Sequence, residues 1–220
     1  MTINTEDLLN SIMESFDRID YIKAEDIPNI DLYMDQVTTF MDGRMREKTR
    51  HPEEDKVLTK TMINNYAKND LLPPPIKKKY SKEHILVLIF IYYFKNILSI
   101  GDIQNLLGPL TDRFFGKGEK FSLTDVYEEV FHWEDEMVEV LKKDVTQRYQ
   151  MAQESFDDAP EDAKEFLQYF SFICLLSFDV YMKKQLIEKL IDDLAQKKEK
   201  KEKKEPKESK KAKEKQSKES

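Results

Sequence analysis

The sequence predicts an all-α protein. Three features carry that expectation. Apolar residues recur at three- and four-residue intervals along most of the chain instead of alternating. Glycine is scarce, 5 among 220 residues, so a sheet of tight hairpins would lack its commonest turn residue. The apolar stretches are punctuated by prolines and by Ser, Thr and Asp at positions suited to helix caps.

Residues 1–20 form an N-terminal extension with a weak helical pattern of Leu8, Leu9, Ile12, Met13 and Phe16. "YIKAEDIPNID" then gives an extended lead-in, with Pro28 stopping any helix before it. Asp31 is placed to cap a helix marked by Leu32, Tyr33, Gln36, Val37, Phe40 and Met41 that runs to about Lys48. After the polar connection "TRHPEEDK", Thr59 is placed to cap a short helix from Lys60 to Asn69, which Pro73, Pro74 and Pro75 cannot continue. Ser81 caps the next helix, 82–96, whose run "ILVLIFIYYF" has no polar side and reads as buried.

Ser99 and Asp102 stand at capping-box spacing and open a helix with the stripe Ile100, Ile103, Leu106 and Leu107, ended by Gly108-Pro109. Beyond a loop at 111–121, Ser122 and Asp125 open one long helix to about Glu154, with Val126, Val130, Trp133, Met137, Val140 and Leu141 on one face. Pro160 is well placed to start the last helix, apolar on nearly every side from Phe166 to Phe178 and amphipathic from Tyr181 to Leu194. From Lys197 onward Lys and Glu alternate almost without apolar residues, a composition that predicts a disordered tail over 197–220.

Composition narrows the function. The longest apolar run, 85–94, is half the roughly 20 residues that span a bilayer, and the chain opens without a basic, apolar leader. A cytoplasmic protein with no membrane partner is expected. The single cysteine, Cys174, lies in "FSFICLLSF" and reads as a buried structural thiol. Enzyme signatures are missing: His51, His84 and His132 are the only histidines, and no glycine-rich phosphate loop or CxxC pair occurs. Glu129, His132 and Glu136 share one predicted helix face, but a dimetal site needs a second Glu-x-x-His, so neither metal nor other cofactor is expected.

The net charge of −7 hides a division. Residues 44–95 carry 12 basic and 6 acidic side chains, while residues 1–43 carry 2 and 10 and residues 96–196 carry 10 and 21. A basic island between acidic flanks suits an anion-binding module. Within it, the helix 60–69 turns Ile63, Tyr66 and Ala67 to one side and Lys60, Thr61, Asn64, Asn65 and Lys68 to the other. Two adjacent asparagines weaken a surface helix, yet an Asn amide can both donate to and accept from adenine's major-groove edge. Lys77, Lys78 and Lys79 follow on a proline-stiffened segment, suited to phosphates. The residues by themselves admit this reading and that of a solvated polar helix with a basic turn.

The ordered stretch "LTKTMINNYAKNDLLPPPIKKKYSKEHILVLIFIYYFKNILSIGDIQNLL" resembles the DNA-binding head of the MerR family of transcription regulators. Thr59 falls at that pattern's cap Ser, Ile63 at its Leu, Asn64 at its Arg, and Asn65 and Tyr66 at its tyrosine pair. Asp70-Leu71-Leu72 replaces Gly-Leu-Leu, Lys78 falls at a wing arginine, Tyr80-Ser81 matches Tyr-Ser, and "LSIGDIQNLL" fits the final helix. The whole chain also resembles a bacterial family with YkrK-like members, the domain of unknown function 1836.

The resemblance implies a winged helix-turn-helix with a short wing at 21–110, followed by a long helical hairpin at 111–196 for dimerisation or effector binding. It implies double-stranded DNA as partner and a homodimer. The aromatic residues Tyr127, Phe131, Trp133, Phe166, Tyr169, Phe170, Phe172, Phe178 and Tyr181 read as core and dimer packing, with a small-molecule effector pocket among them as the alternative the resemblance allows. Lys60, Thr61, Asn64, Asn65 and Lys68 become the major-groove contacts and Lys77, Lys78 and Lys79 the wing contacts. The alternative is an adaptor with a degenerate helix-turn-helix that binds protein and not DNA.

Overall fold

The run "ILVLIFIYYF" offers water no polar side, and the fold is organised to cover it. The computed structural model describes residues 5–16, 21–118 and 120–216. In chain order its elements are α1 (Thr5–Phe16), β1 (Leu32–Tyr33), α2 (Met34–Met45), α3 (Lys60–Lys68), β2 (Lys79–Tyr80), α4 (Lys82–Phe94), α5 (Ile100–Phe114), α6 (Leu123–Phe131), α7 (Glu134–Gln153) and α8 (Glu161–Gln216). Single 3-10 turns occupy Ala24–Asp26 and Arg46–Lys48. The fold is mainly helical, as expected, and among the described residues no helix is long and apolar enough to cross a membrane.

In α4 every residue from His84 to Ile91 is buried. Around it gather Val37, Met41 and Met45 of α2, Ile63 and Tyr66 of α3, Ile103 and Leu107 of α5, and Leu123 and Tyr127 of α6. The Tyr127 hydroxyl donates to the Ile22 carbonyl at 2.6 Å, tying α6 to the start of this unit. Lys95, just past α4, donates to the Val57 carbonyl at 2.9 Å and anchors the long connection between α2 and α3. A second, smaller core of Val145, Ala152 and Phe172 lies between α7 and α8, with Leu9, Met13 and Phe16 of α1 packed on it.

Several boundaries differ from the expectation. Leu32 and Tyr33 form a strand, so α2 starts later, and Gln36, not Asp31, serves its first turn by accepting the Tyr33 N–H at 2.8 Å. α5 runs through Gly108 and Pro109 to Phe114. Leu110 and Phe114 pack on the core beyond the proline, which offsets the roughly 3 kcal/mol that an interior proline costs. The single long helix expected from 122 to 154 is broken at His132-Trp133 into α6 and α7. Glu129, His132 and Glu136 therefore do not share one helix face. The larger core includes Leu123 and Tyr127 of α6 and Ile191 of α8, so its packing does not stop at residue 110.

Cys174 is half-buried, not enclosed. α8 stays helical through Gln216, where composition predicts a disordered tail. Lys and Glu are both good helix formers, and prolonging a helix avoids the cost of nucleating one. Residues 1–4 and 17–20 of the N-terminal extension, and 217–220 of the tail, lie outside the described residues.

Among the described residues His84 is the one buried side chain that is not hydrophobic. Its Nδ1 accepts the Ser81 N–H at 2.9 Å, completing the cap of α4, so the proton sits on Nε2, which faces the Pro74 carbonyl at 3.4 Å. Tyr80 and Phe115 pack edge-on against the ring at 5.4 and 4.7 Å. Burial pushes the imidazole below its ordinary value of 6.5, against opposing pulls from the Pro74 and Pro73 carbonyls and from Asp31. The folded chain thus prefers the neutral ring, and the unfolded chain gains the proton first as pH falls. Stability should be intact above about pH 6.5 and decline below it. Thermal unfolding at pH 7.5 and at pH 5 should show a lower midpoint at pH 5, by a margin that shrinks in His84→Gln.

Candidate nucleic-acid interface

α3 is positioned by its two buried residues. Ile63 and Tyr66 face the core, which turns the opposite side of the helix to water. At its start the Thr59 hydroxyl accepts the Met62 N–H at 3.1 Å, the expected cap. At its end Leu71 N–H bonds back to the Tyr66 carbonyl at 2.9 Å and Asp70 N–H to the Ala67 carbonyl at 3.4 Å. This pairing is a Schellman motif, and it puts Asp70 in the left-handed region at φ 55°, where glycine is commonest. Leu71 and Leu72 then drop into the core. The helix is therefore held at both ends and along one side, and Lys60, Thr61, Asn64, Asn65 and Lys68 are all exposed on it.

The lysine segment forms a minimal hairpin. Ile76 and Lys79 exchange backbone hydrogen bonds of 3.1 and 2.9 Å across a two-residue turn. Its central residues, Lys77 and Lys78, have φ of 50° and 64°. This is the geometry of a type I′ turn, which ordinarily takes Asn-Gly. β2 continues from Lys79 and pairs antiparallel with β1, Tyr33 opposite Lys79 and Leu32 opposite Tyr80. Leu32 and Tyr80 are buried, so this small sheet is seated on the core.

The eight residues singled out from sequence are not equivalent. Lys77 and Lys78 are exposed at the hairpin tip, whereas Lys79 is half-buried with its ammonium 5.1 Å from the Tyr33 ring centroid. Lys60 forms an ion pair with Asp35 of α2, both side chains well exposed. That pair and the Tyr33–Lys79 contact bring the start of α3 and the base of the hairpin to the first turn of α2, two residues apart. Sequence reasoning missed Tyr33, Asp35 and Ile76 as neighbours of the site. Nothing in the local pattern pairs Tyr33 with Lys79 across so much chain, although the isolated Ile76 between prolines and lysines was a visible signal.

Left-handed backbone costs a non-glycine residue roughly 1–2 kcal/mol, so the Lys77-Lys78 turn carries strain. The double variant Lys77→Asn/Lys78→Gly should unfold at a temperature equal to or a few degrees above that of the native chain, read by circular dichroism, despite losing two cations.

Among the described residues no group of three His, Cys, Asp or Glu gathers as a metal site. The model of the family described as a domain of unknown function (DUF1836) matches residues 22–130. No curated protein and no solved structure matches the chain. The matched segment runs from the buried Ile22 almost to the end of α6, the same stretch that closes around α4. Over residues 22–130 the chain is similar to the family of the domain of unknown function 1836.

Proposed function

We propose that the protein is a dimeric DNA-binding transcription regulator of MerR-like, winged helix-turn-helix type. The observation that carries the reading is the exposed side of α3: two adjacent amides, Asn64 and Asn65, with Thr61 and Lys68 beside them, on a helix capped at both ends. In this reading α3 enters the major groove, the amides meet base edges, and Lys60, Thr61 and Lys68 meet phosphates or bases. The hairpin acts as the wing, with Lys77 and Lys78 on the adjacent backbone. Lys79, engaged by Tyr33, positions the wing more than it neutralises phosphate.

Salt dependence and substitution test this directly. Binding to duplex DNA should weaken steeply with salt, and Lys77→Ala/Lys78→Ala should flatten the log–log slope by roughly 2, since each phosphate contact contributes about 0.9. Asn64→Ala/Asn65→Ala should cost on the order of 1–3 kcal/mol per base contact on a preferred duplex while leaving binding to bulk DNA nearly unchanged. An adaptor that binds only protein would show no salt-dependent DNA binding in any variant.

The dimer is supported by side chains the single chain leaves uncovered. Trp133 just before α7, Met137 and Val140 of α7, and Phe166, Phe170 and Phe178 of α8 are each more than half exposed. Half-exposed aromatic side chains offer on the order of 100 Å² each, so the six side chains supply at most roughly 600 Å² of the ~800 Å² per partner of a standard interface. Phe170→Lys/Phe178→Lys should halve the mass measured by light scattering without loss of helical signal. For an effector, the structure offers a cavity of about 670 Å³ lined by Ser15, Phe16, Glu47, Lys48, Tyr92, Tyr93 and Asn96, between the first unit and α1. Tyr127 and Phe131 pack with the larger core and are unavailable to a ligand pocket in the hairpin.

A further inference from the structure

Both ends of the lysine hairpin are held by one buried ring. The segment leading into the hairpin ends at Pro74 and Pro75, the segment leaving it ends at Ser81, and His84 touches both. Its Nδ1 accepts the Ser81 N–H at 2.9 Å, with the Ser81 hydroxyl at 2.8 Å, while its Nε2 faces the Pro74 carbonyl at 3.4 Å. Tyr80 and Phe115 pack edge-on against the ring, and only 1% of the residue is exposed. Between these anchor points the hairpin is tied by two backbone hydrogen bonds between Ile76 and Lys79 and by a short pairing with β1. Its left-handed turn and the mutual repulsion of Lys77, Lys78 and Lys79 both favour opening, and the closed base opposes them.

A proton on the ring would alter this base in two ways. Neutral imidazole has one nitrogen that accepts, whereas imidazolium has two donors and no acceptor. The Ser81 N–H would then face a donor and lose its partner in the core. The new charge would also sit where water cannot reach it. Asp31, ahead of β1, favours the proton, but burial opposes it more strongly. Glu83 of α4 is turned to the Gly116 N–H at 2.8 Å, and the Tyr80 phenol, pushed up by burial, is neutral in this range. On the elements packed around the ring, Lys82 of α4, the three hairpin lysines, and Arg113 and Lys117 on either side of Phe115 are cations.

We propose that His84 is a proton-operated clasp for the lysine hairpin: the neutral ring holds residues 74–81 closed, and protonation lets the ring leave its pocket and frees the hairpin while α4 stays folded. The ring of the open form takes its proton near the ordinary value of 6.5, and that of the closed form below it. Closure is therefore complete above about pH 6.5 and weakens as pH falls, by at most about tenfold per pH unit for one proton, until the closed ring also titrates. A rigid cationic tip at neutral pH becomes a loose one in mild acid. The clasp needs only the fold, whatever the lysines contact.

Native-state amide hydrogen exchange of the full chain, read by NMR between about pH 7.5 and 5 and corrected for the intrinsic pH dependence of exchange, tests this. The Lys79 amide, bonded to the Ile76 carbonyl, reports on the hairpin, and the Leu88 amide reports on α4. Lys79 should exchange through a local opening, with protection well below that of Leu88, and that protection should fall up to about tenfold per pH unit below about pH 6.5. In His84→Gln, where glutamine is the ordinary capping-box partner of Ser81 and takes up no proton, Lys79 protection should be flat across the range. Three results would each overturn the clasp: equal protection of Lys79 and Leu88 at every pH, a native Lys79 opening that ignores pH, or a pH-dependent opening that persists in His84→Gln. If that variant does not fold, the native ring resonances decide. Proton uptake by the closed form below about pH 6.5 supports the clasp, and uptake at or above it removes the clasp.

Discussion

A helix with no polar side must be covered on every side, and α4 imposes that requirement on the rest of the first unit. Its buried stretch from His84 to Ile91 contains seven apolar side chains and one imidazole. Burying each apolar side chain contributes roughly 1.5–3 kcal/mol, so α4 supplies on the order of 10–20 kcal/mol before conformational entropy is subtracted. The imidazole survives in this setting because both ring nitrogens are engaged, one by the backbone that starts the helix and one by the proline segment. Through His84 the position of the lysine hairpin becomes a consequence of core packing.

That coupling explains where backbone strain is stored. Among the described residues four non-glycine positions have positive φ, and three of them, Asp70, Lys77 and Lys78, fall between α3 and α4. Each costs free energy that only a well-determined surrounding structure can offset. The surroundings here are Tyr66, Leu71, Leu72 and Tyr80, all buried. The outcome is a stiff, exposed segment whose amide-bearing helix and cationic tip are presented by the core, as a surface that must match a rigid partner requires.

Much of this was legible in the sequence because it is local. Thr59, Ser81, Ser99 and Ser122 each sit at a helix start, and their caps follow from side-chain chemistry within three residues. The exposure of Asn64 and Asn65 followed from helical periodicity. What escaped was set by contacts between distant parts of the chain. Leu32 and Tyr33 became a strand because β2 is there to pair with them. Pro109 stayed inside a helix because Leu110 and Phe114 find the core beyond it. α6 and α7 separated because α6 follows α4 while α7 follows α8, a division periodicity does not record. Left-handed lysines have no sequence signature, since a type I′ turn normally announces itself with Asn and Gly.

The central claim is that the amides of α3 read base edges, and selection of duplexes from a random pool tests it most directly. The native chain should enrich a two-fold-symmetric sequence with half-sites about one helical turn apart, and Asn64→Ala/Asn65→Ala should lose preference at the central positions of each half. A pool that remains random with the native chain, or one that enriches the same sequence with the double variant, would contradict it.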